Sequence, residues 1–437
     1  MTPLTERTTL DGALGAATAP VRAILDGCLE GGELGCRDAV TLSAADGPDL
    51  EALRATADEM RRRQAGDVVT YVVNRNVNFT NACVKTCHFC AFSRLQRSEE
   101  AYFLGEDEIV RRALEARALG ATEVCIQAGL APGMDGRLYV SLTRALKRAA
   151  PDLHLHAFSP EEVKYGAKLC GISLRAYLVE LLEAGLDTLP GTSAEILDDE
   201  VRAVIAPGRI TTAEWIEVVR GAHEIGLRTT STIMFGHVED AAQRVRHLDT
   251  LRSLQKETGG FTELVPLSFV HEEAPMHVKH LVPGLRPGAT PVEVARLFAI
   301  ARLMLGPTFR NLQVSWVKQG LALSRELLGW GVNDLGGTLM NESISTAAGS
   351  GHGQFVSPAR LRALAREAGR PPAQRSTLYR ILRAYDLTPG EDEARETEAL
   401  DRIDDAGAAF GSYVQLTRDG RFRFRKDGEQ AGARKRT

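Results

Sequence analysis

The sequence predicts an α/β fold, a (β/α)8 TIM-type barrel with helical extensions before and after it. Short β-rich segments alternate with amphipathic helical segments, at spacings typical of strand-helix units rather than hairpins. Glycine is frequent, at 41 of 437 residues, and aromatic residues make up only 6% of the chain, which suits many strand-to-helix turns. Eight such units occupy roughly 290 residues, near the size typical of a barrel.

Eight segments have the apolar or alternating pattern of strands in a buried parallel sheet. In chain order the predicted strands are Val72–Thr80, Glu123–Ala128, Leu153–Phe158, Thr188–Pro190, Arg228–Phe235, Glu263–Val270, Leu312–Val317 and Leu335–Met340. The barrel is therefore expected over residues 67–352. An N-terminal helical extension (1–66) is expected before it, and helices with a charged tail (353–437) after it, including two helices within residues 353–386.

The predicted helices between the strands carry start signals. Capping boxes are expected at Thr211 with Glu214 and at Thr290 with Glu293, and Ser173 is expected to cap a third helix. Apolar residues follow both boxes at i, i+3, i+4 and i+7, so they are expected to face the core rather than a ligand. These residues are Trp215, Val218, Val219 and Ala222, and Val294, Leu297, Phe298 and Ala301.

Composition and charge argue against some classes of protein. The net charge is −4, from 53 Lys+Arg and 57 Asp+Glu, which does not fit a general nucleic-acid binder. No stretch approaches the ~20 apolar residues of a membrane span, and no signal peptide is recognisable, so a cytoplasmic location is expected. The basic segments Arg421–Lys426 and Arg434–Arg436 are expected to form a solvated tail rather than a site for RNA or phosphate.

Three of the seven cysteines lie within one short segment, in the pattern C-x3-C-x2-C just after the first predicted strand. Three thiolates on one loop can hold three irons of a [4Fe-4S] cubane and leave the fourth iron without a protein ligand. Loops that follow strands lie at the C-terminal mouth of a barrel, where active sites are built. We therefore interpret Cys83, Cys87 and Cys90 as cluster ligands.

A zinc site and buried free thiols are the alternatives for this motif. A zinc site usually needs a fourth ligand at a recognisable spacing, and His88 lies between two of the cysteines, where its side chain is expected to point away. The other four cysteines are expected to behave as small hydrophobic residues, without a disulfide framework. They are Cys28, Cys36, Cys125 and Cys170.

The cysteine motif and the predicted barrel together resemble the radical S-adenosylmethionine (SAM) superfamily. This resemblance implies that the open iron takes the amino and carboxylate groups of SAM, and that an electron from the cluster cleaves SAM to a 5′-deoxyadenosyl radical. It also implies that Phe89, the aromatic residue before the third cysteine, packs near the adenine.

Six further segments resemble the tyrosine-side, CofH-type subunit family of deazaflavin (FO) synthase. The match spans about residues 66–385 and implies a transferase that acts on L-tyrosine and 5-amino-6-(D-ribitylamino)uracil. The radical would take a hydrogen atom from the tyrosine amino group, the Cα–Cβ bond would break with release of 2-iminoacetate, and the hydroxybenzyl fragment would join C5 of the uracil. The segments are Val72–Asn81, His154–Pro160, Asp187–Glu200, Gly259–His271, Val332–Met340 and Gly369–Arg375.

The resemblance also implies cofactors and partners. The cofactors would be one [4Fe-4S] cluster with three cysteine ligands, and SAM. Because the chain holds a single C-x3-C-x2-C motif, the ring-closing reaction is expected from a separate radical SAM subunit. An electron donor such as ferredoxin or flavodoxin is expected to reduce the cluster, and neither nucleic acid nor membrane is expected as a partner.

Four residues are the candidates for SAM contacts: Phe89, Gln127, Glu195 and Met234. By resemblance, Glu195 would meet the ribose or amino group of SAM; alternatively it only favours the dipole of the helix that follows. Gln127 stands where many radical SAM enzymes present Gly-Gly-Glu. Here the order is Gln-Ala-Gly, which leaves the contact to the SAM amino group unassigned.

Five other residues are the candidates for substrate contacts. His154 and His156 share one face of the third strand, and His156 is the stronger candidate because it lies nearer the mouth. Lys318 or His271 is expected to balance the tyrosine carboxylate, and Asp334 to accept from a uracil N–H. Salt bridges or loop caps are equally compatible with these last three residues.

Two alternative kinds of function remain open, one within the radical SAM superfamily and one from a different class of protein. Aminofutalosine synthase and dehypoxanthine futalosine cyclase, radical SAM enzymes of menaquinone biosynthesis, share the barrel and the cluster motif; the segment Asn333–Thr338 is more similar to the deazaflavin subunit. A non-catalytic iron-sulfur or zinc protein is the alternative from a different class.

Overall fold

The computed structural model describes residues 8–390, 393 and 398–425. Ten strands are present in these residues, and eight of them lie between residues 69 and 337. We number them in chain order: β1 Val69–Val72, β2 Asn74–Val77, β3 Glu123–Ile126, β4 His154–Ala157, β5 Thr188–Leu189, β6 Arg228–Phe235, β7 Phe261–Ser268, β8 Asp334–Gly337, β9 Pro372–Arg375 and β10 Ile381–Ala384.

The strands close into a barrel. Strands β2 to β7 form a parallel sheet in sequence order, and β1 pairs in parallel with β8. Only Val73 separates β1 from β2, so they form one interrupted strand that belongs to both sheets. Parallel bridges from Leu264 to Leu312 and from Gln313 to Asp334 connect β7 to β8. The ring is therefore complete, which confirms the predicted barrel.

Helices surround this ring and extend it at both ends. The described α-helices are Leu10–Ala16, Ala19–Leu29, Cys36–Leu42, Gly47–Ala65, Glu106–Ala118, Leu138–Ala149, Pro160–Cys170, Leu174–Glu183, Asp199–Ile205, Thr212–Glu224, Ala241–Thr258, Pro275–Val278, Pro291–Leu305, Trp316–Leu327, Ile344–Ala347, Pro358–Glu367, Ala406–Phe410 and Tyr413–Arg418. Short 3-10 helices are Gly306–Thr308, Ala399–Arg402 and Gly420–Phe422. In this part of the chain no helix has both the length and the apolar character to cross a membrane.

The predicted caps are largely confirmed. The Thr211 hydroxyl accepts from the Glu214 N–H (3.2 Å), and the Glu214 carboxylate accepts from the Thr211 N–H (2.8 Å), which is a complete capping box. Thr290 caps the Glu293 N–H (3.2 Å), but the Glu293 carboxylate binds Arg286 instead of closing the box. Trp215 and Phe298 are fully buried, as expected for core residues.

One predicted strand is mostly absent. Within 312–317 only Leu312 and Gln313 pair with neighbouring strands, and a helix begins at Trp316. The Trp316 indole N–H donates to the Gly337 carbonyl (2.8 Å), which fixes the first turn of this helix beside β8. The alternating pattern is satisfied equally by a short strand and a buried first helical turn, so periodicity could not separate them.

The C-terminal region also differs from the prediction. Only one of the two helices expected within 353–386 forms, Pro358–Glu367. Pro371 and Pro372 lack N–H donors and therefore cannot lie in the interior of a helix. The chain instead forms β9, parallel to β1, and turns back as β10. The domain boundaries stay a prediction, and the basic residues Lys426 and Arg434–Arg436 lie outside the described residues.

Candidate active site

A cavity of about 400 Å³ opens at the carboxyl ends of the barrel strands. Nine of the predicted site residues line it: Cys83, Cys87, Phe89, Cys90, Gln127, His156, Glu195, Met234 and Lys318. It has the position that a barrel enzyme gives its active site. Its two ends differ: one holds the three cysteines, and the other is polar.

The segment of residues 81–94, called the cysteine loop below, is closed by its own backbone. The Cys83 N–H donates to the Arg94 carbonyl (3.0 Å), and the Arg94 N–H donates to the Asn81 carbonyl (2.8 Å). Backbone N–H groups of Lys85 and Leu130 donate to Cys83 Sγ, each at 3.4 Å. Such donors stabilise a thiolate and therefore suit a metal-bound sulfur.

All three cysteines are free thiols in the described structure. Burial raises the pKa of Cys87 to about 12, although the Arg209 guanidinium, 3.7 Å from its sulfur, opposes this shift. The thiol would lose its proton on binding a metal. Within the described residues no three Cys, His, Asp or Glu side chains converge as ligands of one metal ion. Ligation of a cluster by the three cysteines stays a prediction, and the donors around the sulfurs fit it.

Glu195 and Arg209 form the wall beside the cysteines. Arg209 donates to Glu195 Oε1 (3.2 Å) and to Glu161 Oε2 (3.1 Å), and Lys85 Nζ lies 3.2 Å from Glu161 Oε1. Glu195 Oε2 is buried and has no hydrogen-bond partner among the residues described. Glu195 also has a positive φ of 42°, a backbone strain that is often found at functional sites. Oε2 lies 3.5 Å from the Arg202 guanidinium but accepts no hydrogen bond, so it fits an ammonium or hydroxyl donor of a ligand such as SAM.

The end of β3 brings the Gln-Ala-Gly sequence to the cysteine loop. Gln127 Oε1 accepts from the Thr192 hydroxyl (3.0 Å), and the Ala128 N–H donates to the buried Glu162 carboxylate (3.0 Å). A Cβ added at Gly129 would lie 2.4 Å from the Ala82 carbonyl oxygen. Glycine is therefore required where the end of β3 passes the cysteine loop, and Ala128 does not block this approach.

The other end of the cavity, called the polar floor, consists of Glu123, His156, Glu263 and Arg375. The His156 Nδ1 and the Thr188 hydroxyl are hydrogen-bonded at 2.8 Å. Burial lowers the pKa of His156 to about 4, so its imidazole is neutral at physiological pH. Glu123, which opposes this shift, accepts from the Asn74 amide (2.8 Å). A neutral imidazole between polar groups suits hydrogen bonding to a substrate.

Asp334 lies beneath the floor and is not among the residues that line the cavity; its predicted contact with uracil stays a prediction. Its carboxylate accepts from the Thr70 hydroxyl, from the Gly336 N–H (2.7 Å) and from two nitrogens of Arg375. These bonds use both oxygens inside the protein. Asp334 therefore orients Arg375, and it is Arg375 that reaches the cavity.

The C-terminal hairpin makes a contribution to the site that the sequence pattern did not indicate. Strand β9 brings Arg375 to the floor, and the following turn places the Tyr379 hydroxyl against the Glu263 carboxylate. Burial raises the pKa of Glu263 to about 8; Arg375 opposes the rise, and the nearby carboxylates Asp334 and Glu123 add to it. The motif Gly369–Arg375 pointed to this segment, but its pattern did not show that Arg375 turns inward.

Lys318 and His271 differ in their positions relative to the cavity. Lys318 lines the cavity from the helix Trp316–Leu327 rather than from a strand end. Burial lowers its pKa, and Glu342 is the main group that opposes this shift. His271 is not among the residues that line the cavity and lies 3.6 Å from the Glu272 carboxylate and 4.6 Å from the ring of His277; its predicted contact with the substrate stays a prediction.

Comparison with protein families gives two matches in tandem. The Radical SAM superfamily matches residues 77–251, and the CofH/MqnC C-terminal region matches residues 258–386. Together these matches cover the cysteine loop, strands β3 to β8 of the barrel and the hairpin that carries Arg375.

Curated relatives agree with these matches. FO synthase of Mycobacterium tuberculosis is 49% identical over 352 residues, which are 80% of this chain and 41% of that protein. This chain thus spans about two fifths of the length of the FO synthases it matches. The 5-amino-6-(D-ribitylamino)uracil--L-tyrosine 4-hydroxyphenyl transferase of Methanothermobacter thermautotrophicus is 47% identical over 343 residues, 78% of this chain and 93% of that protein.

Solved structures show the same fold at low identity. Methylornithine synthase (PylB) aligns with a TM-score of 0.63 and 19% identity, over 80% of this chain and 97% of that chain. The hydrogenase maturase HydG of Carboxydothermus hydrogenoformans aligns with a TM-score of 0.63 and 17% identity, over 82% of this chain and 80% of that chain. The cysteine motif, the closed barrel and the identity to the archaeal transferase together show that this chain belongs to the CofH-type family of radical SAM enzymes.

Proposed function

We propose that this protein transfers the hydroxybenzyl group of L-tyrosine to C5 of 5-amino-6-(D-ribitylamino)uracil, as a subunit of FO synthase. The observation that carries the proposal is the 47% identity to a named tyrosine transferase across 93% of its length. The cavity supports it, because it joins a three-cysteine loop to a polar floor within one space.

The cysteine end is proposed to hold the cofactors. Cys83, Cys87 and Cys90 would bind three irons of one [4Fe-4S] cluster. When bound, the cluster and SAM supply a 5′-deoxyadenosyl radical. Glu195 Oε2, which accepts no hydrogen bond among the described residues, would accept one from SAM, and Phe89 would pack near its adenine. Gln127 and Met234 would complete the walls of the SAM site.

The polar floor and Lys318 are proposed to hold the substrates. The buried ammonium of Lys318 would attract the tyrosine carboxylate, and its desolvation makes this attraction stronger than it would be in water. His156, Glu263 and Arg375 offer donors and acceptors suited to the uracil edge and the ribityl hydroxyls. This arrangement would place the tyrosine amino group between the two ends, where loss of a hydrogen atom leads to Cα–Cβ cleavage and release of 2-iminoacetate.

The proposed reaction requires partners. A reductant such as ferredoxin or flavodoxin would supply the electron, and a separate radical SAM subunit would close the deazaflavin ring. We place the reaction in the cytoplasm, where such reductants operate. Longer FO synthases, of which this chain matches about two fifths, provide the rationale for a second subunit.

Turnover by the reconstituted protein tests the proposal. Reduced, cluster-loaded protein is incubated without oxygen with SAM, tyrosine and the diaminouracil. We expect equal amounts of 5′-deoxyadenosine, glyoxylate from hydrolysed 2-iminoacetate, and hydroxybenzyl-uracil by mass spectrometry. The Cys87→Ala variant is the control and should form none of them. Formation of 5′-deoxyadenosine without consumption of tyrosine would contradict the proposed substrate.

A further inference from the structure

Residues 405–425, called the C-terminal strap below, pack against the outer side of the cysteine loop. The strap contains the helices Ala406–Phe410 and Tyr413–Arg418 and the turn Gly420–Phe422. It follows residue 386, where the match to the CofH/MqnC C-terminal region ends. Its contacts with the cysteine loop therefore belong to a part of the chain that the two family matches do not cover.

The end of the strap pairs with the segment that follows the cysteine loop. The Phe103 N–H donates to the Phe422 carbonyl (2.7 Å), and the Phe424 N–H donates to the Ala101 carbonyl (2.8 Å). These two bonds form a short antiparallel pairing, and the rings of Phe103 and Phe424 lie 6.5 Å apart. Backbone pairing of this kind gives the strap a defined register on the barrel.

The start of the strap is attached to the loop region after β8. The Gly411 carbonyl accepts from the side-chain amides of Asn341 (2.8 Å) and Gln354 (3.0 Å). The ring of Phe410 packs on Phe355, with centroids 5.6 Å apart. The strap is thus held on both sides of Tyr413.

Tyr413 joins the two ends of the cysteine loop. Its hydroxyl donates to the Phe92 carbonyl (3.2 Å) and accepts from the Asn81 amide (3.4 Å). Asn81 precedes the first cysteine and Phe92 follows the third, so one phenol spans the segment that carries all three thiols. The Tyr413 ring, 6% exposed, also packs on the Phe92 ring with centroids 5.5 Å apart, and Phe92 lines the cavity.

We propose that Tyr413 is a positioning residue for the iron-sulfur cluster, and that the C-terminal strap holds it against the cysteine loop. The proposal rests on the cluster part of the proposed function. Fixing both ends of a loop reduces the number of conformations that the loop must give up when its thiols bind a cluster. Residues that contact the ligand-bearing segment also preserve the geometry of the metal ligands. Tyr413 does not contact the cavity itself, so it acts through Phe92 and Asn81.

The test compares two phenol-to-phenyl changes in the full chain. Tyr413→Phe removes the hydroxyl that spans the cysteine loop. Tyr177→Phe removes the hydroxyl of another buried tyrosine, which donates to the Gly136 carbonyl (2.6 Å) away from that loop. Each protein is measured for its thermal unfolding midpoint, for iron release to a chelator after anaerobic reconstitution, and, before reconstitution, for chymotrypsin cleavage at Phe89 and Phe92.

We expect both variants to show similar, small losses in unfolding midpoint. Only Tyr413→Phe should release iron and be cleaved within the cysteine loop faster, by roughly threefold to tenfold for one lost hydrogen bond. Wild-type rates for Tyr413→Phe, or equal acceleration by Tyr177→Phe, would overturn the proposal. If Tyr413→Phe is insoluble, Phe424→Leu weakens the attachment of the strap and should accelerate both processes; unchanged rates there would overturn it too.

The cleavage measurement also separates this proposal from the proposed function. If the wild-type protein assembles no [4Fe-4S] cluster, the proposed function fails. Cleavage of the cluster-free chain still decides whether Tyr413 restrains the cysteine loop, because the cleavage measurement needs no cofactor. Equal cleavage rates for the wild type, Tyr413→Phe and Tyr177→Phe would refute that role.

Discussion

Arg375 and Asp334 form a buried, bidentate ion pair beneath the cavity, with Arg375 Nη2 donating to Asp334 Oδ1 at 3.0 Å and Nε donating to Oδ2. The two residues come from β9 and β8, on either side of β1. The pair thereby connects the C-terminal hairpin to the barrel and directs the guanidinium toward the polar floor.

Removal of the Asp334 charge should destabilise the fold. In Asp334→Asn the Arg375 guanidinium stays buried without its main partner, and breaking a buried pair on one side typically costs about 3 kcal/mol or more. We expect this loss in the free energy of unfolding of the cluster-free protein in urea. The matched control is Asp152→Asn, which breaks the exposed pair with Arg117 (2.9 Å) and should leave stability unchanged. Equal effects of both changes would contradict the structural role of Asp334.

Stability should fall with rising pH because of Glu263. Its pKa is raised from 4.5 to about 8 in the fold, so between these values the native state holds a proton that the unfolded state has released. The contribution of Glu263 is therefore fully present below about pH 4.5 and is lost as pH rises through about 8.

Glu263→Gln isolates this contribution, because Gln stays neutral at every pH. The free energy of unfolding of the wild type, minus that of the variant, should decrease by up to about 1.4 kcal/mol per pH unit across this window. Urea unfolding at pH 5, 6.5 and 8 measures it. Taking the difference removes titrating groups that do not interact with Glu263. A difference that is constant with pH would show that Glu263 is ionised in the fold.

The barrel fold and the position of the three cysteines at its mouth were predictable because their sequence signals are local. Strand-helix periodicity depends on neighbouring residues, and the spacing of Cys83, Cys87 and Cys90 specifies one loop. The position of the loop after a strand then located the site, since all strand ends of a parallel barrel meet at one mouth.

Other features depend on contacts between distant parts of the chain. Asp334 was expected in the cavity, but its direction is set by Thr70 and Arg375, which lie 264 and 41 residues away. The role of Arg375 follows from the pairing of β9 with β1, and no periodicity marks that pairing. His271 lies shortly after the end of β7, but its ring packs against the ring of His277.

Gly129 should be essential for loading the cluster. An added Cβ would lie 2.4 Å from the Ala82 carbonyl oxygen, so Gly129→Ala must displace the backbone next to Cys83. We expect the iron content after reconstitution to fall to less than half, with the barrel still folded by circular dichroism. Gly105→Ala is the control, because its added Cβ has no neighbour within 4 Å. Full iron content in Gly129→Ala would mean that the cysteine loop adapts to the extra methyl group.

Glu195 should contribute to SAM affinity without holding iron. Its buried Oε2 accepts no hydrogen bond among the described residues and has only the Arg202 guanidinium nearby, at 3.5 Å, while Glu195 lines the cavity, so a ligand donor would gain a charge-assisted hydrogen bond there. Replacing the carboxylate with an amide in Glu195→Gln should weaken SAM binding by about tenfold, which corresponds to about 1.4 kcal/mol. Equilibrium dialysis with radiolabelled SAM on the cluster-loaded, unreduced protein measures this change.

Two controls separate this effect from damage to the fold, because Glu195 also pairs with Arg209 (3.2 Å) and Arg202 (3.5 Å). The exposed neighbour Glu200→Gln should leave both SAM affinity and the unfolding midpoint unchanged. Iron content should stay at the wild-type level in Glu195→Gln, since the carboxylate is not a proposed iron ligand. Unchanged SAM affinity with a lowered unfolding midpoint would assign Glu195 a purely structural role, in which it serves only to neutralise the two arginines.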